Sequence, residues 1–186
     1  MMPPRVRKLA LAVHLTSSIG WTGAAVAYVP LVVAVLSSDD QRVVREAILI
    51  MNSIDWFVIV PLAYLALATG LVMSLGTPWG LFRHWWVVFS LLLTLAAVFV
   101  LTEYSMSLRA MAAVASKPTL SHSDLGMLKD PGHAVHNLGG IVVLLVVAVL
   151  NIYKPQGVTR HGWRKQQERR VAATRRRKRR PALSQS

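Results

Sequence analysis

Four of the six histidines in this chain, His14, His84, His133 and His136, stand within or at the edge of long apolar blocks. The carboxylates Asp55 and Glu103 stand at the edges of two such blocks. Ionisable side chains are expensive in apolar surroundings, so each marks either a functional site or a hydrogen-bonded contact between helices. The chain has no cysteine, which removes disulfides, iron–sulfur clusters and thiolate metal sites. Imidazole and carboxylate remain. His133 and His136 are three apart, on one face of a helix. Together with Asp55 and Glu103 they make up the residue types of a Zn, Mn or Fe site. The same four could form a proton relay, or a hydrogen-bonded cluster at an interface where ionisable groups cost little. His14 and His84 suit a different chemistry. Neutral imidazoles from two helices can hold the iron of a b-type haem from both sides. The alternative for this pair is hydrogen bonding to neighbouring helices, or snorkelling. No nucleophile–base pair, phosphate loop or zinc-protease motif is present, which disfavours a soluble-type hydrolase.

The elements that must carry these residues follow from hydropathy. Apolar residues make up 54% of the 186 and charged residues 16%. About 20 apolar residues, at about 1.5 Å each, cross a hydrocarbon core of about 30 Å. Four blocks qualify, at about 9–36, 55–75, 84–105 and 133–153. Lipid cannot satisfy open backbone groups, and no block alternates with period two, so all four are expected to be helices. The expected fold is all-α: an up-down four-helix transmembrane bundle over 1–153, followed by a basic tail over 154–186. The segment SMSLRAMAAVASK holds good helix formers and should extend the third helix outside the membrane. Residues 37–54 and 106–131 read as outward loops, and GTPWGLFR as an inward one.

The tail carries twelve Lys/Arg against the single acid Glu168, so it holds +11 of the chain's +13. With Arg5, Arg7 and Lys8 ahead of the first span, the positive-inside rule places both termini in the cytoplasm of a multi-pass cell-membrane protein. The tail has little apolar content and is expected to be disordered. Its partners are anionic lipid headgroups beside the bilayer, and its basic run has no interleaved aromatics of the kind that stack on nucleic acid. A homo-oligomer stays open. Ala25-Val26-Ala27 after a basic start also resembles a signal-peptide cleavage site, so removal of 1–27 is the competing reading.

Depth separates the titratable groups. His14 lies about 9 Å beyond Lys8 and belongs with His84 in the inner half, on a polar stripe with Ser17, Ser18 and Trp21. His136 lies about 25 Å from Tyr153, in the outer half with His133, Asn137, Tyr28, Asp55 and Glu103. His14 and His136 differ by about 16 Å in depth and should not share one iron. Gly20 with Ala24, Gly23 with Ala27, and Gly139-Gly140 read as close-packing faces. Pro30 and Pro61 should kink their spans.

Two segments, PWGLFRHWWVVFSLLLTLAAVFVL and HNLGGIVVLLVVAVLNIYKPQGVTRHGWRKQ, resemble an uncharacterised family of bacterial four-helix integral membrane proteins, over roughly 9–167. The resemblance implies the fold and location and no activity. The first span, with His14, Trp21, Gly23, Tyr28 and Pro30, is also similar to the first helix of the four-helix membrane protoporphyrinogen oxidase family. There the first-span histidine is functional, which implies a role for His14. The third-span lysine of that family has no counterpart in HWWVVFS, and Leu31 stands where its arginine is expected. The functional expectations are therefore haem or porphyrin binding for electron transfer led by His14, a non-enzymatic scaffold or transport accessory, or metal handling by the outer cluster.

Overall fold

The computed structural model describes residues 2–76 and 80–179, the side chains at 169, 173 and 175–179 excepted. Residues 77–79 of the expected inward loop therefore lie outside the described residues, as do the side chains of the basic run and residues 180–186. The described residues are helical almost throughout, with one isolated bridge between His84 and Val158. Four helical stretches are long and apolar enough to cross a membrane: Pro4–Ser37, Gln41–Gly76, Trp85–Ala115 and His122–Tyr153.

The first stretch is broken, as Pro30 requires. Helix α1 (Pro4–Ala27) ends at Tyr28, and α2 (Val29–Ser37) continues from it. Ser38 and Asp39 then lead into α3 (Gln41–Ile54), where the Asp40 side chain accepts from the Arg42 backbone N–H at 2.8 Å. This segment was expected as a loop. Its apolar residues instead recur at helical spacing, and Val44, Ala47, Ile48 and Met51 are all buried. Pro61 disturbs the second stretch in another way. A proline clashes with the carbonyl four residues earlier, here that of Phe57. The preceding turn widens into a π-helical segment, Asp55–Ile59, before α4 (Val60–Gly76).

Helix α5 (Trp85–Ala115) has 31 residues. That is about 46 Å, well beyond the hydrocarbon thickness of about 30 Å. The connection expected at 106–131 is partly helical too. Ser121 and Asp124 form a reciprocal capping box that starts α6 (His122–Leu128). Helix α7 (Gly132–Tyr153) returns and stops at Lys154, which takes the left-handed conformation at φ 45°.

The tail expected to be disordered forms α8 (Arg160–Arg179). Low apolar content argued for disorder, but Arg, Lys, Gln and Ala are strong helix formers. Thr159 also caps the helix, accepting from the Gly162 N–H at 3.1 Å. The Thr159 hydroxyl donates to the Phe82 carbonyl, and its N–H donates to the Arg83 carbonyl at 3.0 Å. The Trp85 N–H donates to the Gly157 carbonyl at 3.2 Å. The start of α8 is thus clipped to the segment that precedes α5.

Helix α1 packs mainly on α4, α3 on α5 and α2, and α5 on α7. The densest core is Val35, Val44, Ile48, Met51, Leu108, Ala115 and Leu128, where α2, α3, α5 and α6 meet. Elsewhere large apolar side chains face outward, among them Phe57, Leu75, Phe99, Val135 and Ile152, each at least 65% exposed. Exposed apolar surface on this scale calls for a covering medium.

Candidate functional site

The π-helical segment, α1, α5 and α7 enclose an open cavity of about 790 Å³. That lies within the range of about 300–1,000 Å³ typical of small-molecule sites. Its walls are largely apolar, including Leu93, Ala96, Ala97, Val100, Val143 and Leu144. Polar residues also line it: Tyr28, Asp55, Glu103, Tyr104, Asp130, His133, His136 and Asn137.

Each polar group is held by an identifiable device. Asp55 opens the π-helical segment and is 1% exposed. Extra residues of this kind re-aim side chains and recur at functional sites. The Ser105 hydroxyl lies beside the Asp55 carboxylate but donates to the Leu101 carbonyl at 2.8 Å. Tyr28, buried at the α1–α2 break, donates to the Met51 carbonyl at 2.5 Å and ties that break to α3. Asn137 donates from Nδ2 to the Ala25 carbonyl at 3.0 Å and ties α7 to α1. A carbonyl only accepts, so this bond fixes which end of the amide is nitrogen.

His133 uses both ring nitrogens. Nε2 lies 3.1 Å from the Leu128 carbonyl and Nδ1 lies 2.7 Å from the Tyr104 hydroxyl. The Leu128 carbonyl only accepts, so Nε2 bears a hydrogen; in the neutral ring Nδ1 then accepts from Tyr104. The Tyr104 ring meets His133 edge-on and stacks on His136, the latter at 3.9 Å between centroids and 11° between planes. Tyr104 thereby fixes both imidazoles of the His-x-x-His pair.

The four residues expected to form an outer set, Asp55, Glu103, His133 and His136, all line this cavity. No group of three or more histidine or carboxylate side chains converges on a metal-binding position among the described residues. His133 is committed to hydrogen bonds through both ring nitrogens, and the face of His136 lies on Tyr104. His14 and His84 lie elsewhere. His14 is directed at α4, its Nδ1 3.0 Å from the Ala66 carbonyl and 3.1 Å from the Thr69 hydroxyl, with Gly70 beneath the ring. His84 precedes α5 as its N-cap, bridged to Val158, with its ring 6.5 Å from that of Trp86. Neither lines the cavity, and the pair expected to hold a haem iron is divided between separate surroundings.

The cavity lining suits a haem poorly. Haem propionates are anions, and the lining contains Asp55, Glu103 and Asp130 with no Lys or Arg.

Sequence reasoning missed Tyr104 and Asp130, and it misread Gly139-Gly140. A Cβ built on either glycine meets nothing within 4 Å. Both line the cavity, so they hold space open instead of letting another helix approach. Gly23 is likewise open, whereas a Cβ on Gly20 would come within 3.1 Å of the Leu62 side chain, in the way the close-packing expectation required.

In comparisons with family models, curated proteins and solved structures, nothing matches the chain.

Proposed function

We propose that the chain is a multi-pass cell-membrane protein that binds an amphipathic small molecule in the cavity between α1, α5 and α7. In this reading the four long helices form an up-down bundle with both termini in the cytoplasm. The exposed apolar faces of α1, α4, α5 and α7 meet lipid, and the end of α5 projects with α3 and α6 on the outer side. The basic helix α8 lies at the inner surface, where each Lys or Arg near anionic headgroups contributes about 1 kcal/mol.

The single observation that carries the reading is the cavity's composition. A large, mostly apolar volume is lined by a few fixed polar groups, and Gly139 and Gly140 leave α7 without filling side chains. An apolar body can lie along Ala96, Val100 and Val143 while a polar head reaches Asp55 and Asn137.

Native mass spectrometry of the full chain, released from mild detergent, tests this. The wild type should carry a small-molecule adduct that Gly140→Leu carries in smaller amount. Identical spectra for the two proteins would contradict it. An adduct with a Soret band would instead favour the haem or porphyrin reading.

A further inference from the structure

We infer that the cavity selects a lipophilic ligand with a cationic head bearing N–H donors, an organic ammonium being the simplest. This deepens the proposed function and rests on the cavity being a binding site.

The inference comes from counting donors. Asp55 Oδ2 and Asn137 Oδ1 are buried without any hydrogen-bond partner, and both residues line the cavity. Their residues are 1% and 8% exposed. An unpaired buried acceptor costs roughly 1–3 kcal/mol, and a charged one more. Three neighbouring donors are turned elsewhere. The Tyr28 hydroxyl is given to Met51, that of Ser105 to Leu101, and one of the two Asn137 amide hydrogens to Ala25. With His133 neutral, the Tyr104 hydroxyl is given to Nδ1 of that ring. Asp55 Oδ2 and Asn137 Oδ1 are therefore acceptors that these groups leave for an incoming head to pair. The carboxylate torsion of Asp is soft and roughly two-fold, so either Asp55 oxygen can swing toward the lumen.

Charge points the same way. The lining has Glu103 and Asp130 as well as Asp55, and no Lys or Arg. An anionic head would meet only groups of its own sign, and a neutral one would bring no charge to balance them. Trp21 and Tyr104 in the lining bring aromatic rings that attract a cation, one face of Tyr104 being taken by His136. An ammonium satisfies all three demands: charge, donors and an affinity for aromatic faces.

The test uses the purified full chain in mild detergent and four probes with the same tail: octylamine, N,N,N-trimethyloctylammonium, octanol and octanoate. Retention is measured by equilibrium dialysis near neutral pH, with circular dichroism confirming that each variant is folded. Wild type should hold octylamine about tenfold or more tighter than octanol or octanoate, a difference of about 1.4 kcal/mol. The trimethyl analogue has the charge without N–H groups and should bind less tightly than octylamine. Asp55→Asn should bring octylamine to the level of octanol, and Gly140→Leu should weaken retention of every probe. Octanol or octanoate held as tightly as octylamine would overturn the cationic class while leaving the cavity reading intact. A trimethyl analogue equal to octylamine would overturn the donor requirement. No retention of any probe by wild type would defeat the cavity reading itself. Displacement of octylamine by phosphatidylethanolamine and not by phosphatidylcholine assigns the ammonium to a lipid headgroup. Displacement by neither assigns it to a freestanding amine, and the class stands in both cases.

Discussion

Replacing Gly140 by leucine should stabilise the fold and narrow the binding site in one step. Glycine within a helix is about 0.8–1.0 kcal/mol less favourable than alanine, and leucine lies close to alanine. Overpacking normally offsets such a gain by about 1–3 kcal/mol. The new Cβ causes none of it, because it meets nothing within 4 Å. The leucine side chain projects into a cavity of about 790 Å³ and occupies the space beside Val143 and Ala96. The net effect should be a gain of about 0.5–1 kcal/mol, which for a chain of this size is about 1–4 °C in Tm. Thermal unfolding in detergent, followed by circular dichroism, reads the stability, and ligand retention reads the site. Gly162 provides the contrast, since a Cβ there would run into the Arg83 carbonyl and the Val158 side chain. Gly162→Leu should therefore destabilise the α8 junction. Loss of more than about 1 kcal/mol in Gly140→Leu would mean that α5 and α7 close on one another at this level, and the reasoning would fail.

Three further outcomes are expected. Tyr104→Phe leaves a buried His133 nitrogen without its 2.7 Å partner, and should cost about 1–3 kcal/mol in denaturant unfolding, where a surface tyrosine such as Tyr153 should cost little. Thr159→Val removes the α8 cap and the bond to Phe82, and should cost about 1 kcal/mol or more, read as faster hydrogen exchange in residues 160–166 with the bundle unchanged. The capping box of α6 should be acid-sensitive: the Lys117 ammonium, then the Ser121 N–H and hydroxyl, hold the Asp124 carboxyl down at about 2. A depressed pKa stabilises fully above the unfolded value near 3.9 and is lost as pH falls from about 4 to about 2, so amide exchange across 121–128 should accelerate in that window and Asp124→Asn should show no such step.

Much of the site was legible because depth along a helix is simple arithmetic. Counting about 1.5 Å per residue put Asp55, Glu103, His133, His136, Asn137 and Tyr28 near one level, and all six line the cavity. Tyr104 was not legible, because its role depends on rotation about α5 relative to α7, which spacing within one helix does not determine. The same lack of rotational information made Gly139-Gly140 look like a packing face: small residues allow either a close helix or an open space, and only the neighbour decides. His14 and His84 were grouped by depth alone, while His14 is turned toward Ala66 and Thr69 on α4. Helix α3 was missed because its mean polarity resembles a loop, although the spacing of Val44, Ala47, Ile48 and Met51 carried the signal. Helix α8 was missed because composition was weighed ahead of propensity and the Thr159 cap.

The central claim, an open ligand cavity beside α7, is tested most directly by chemical access to Gly140. The chain has no cysteine, so a single Gly140→Cys gives a label site without background. The substitution should fold, since nothing lies within 4 Å of the new Cβ. In isolated membranes, a small neutral maleimide should modify this cysteine, and added octylamine should slow the modification while octanoate leaves it unchanged. A cysteine at 140 that stays unreactive in the folded protein and reacts only after denaturation would show that the α5–α7 space is closed, and would contradict the account.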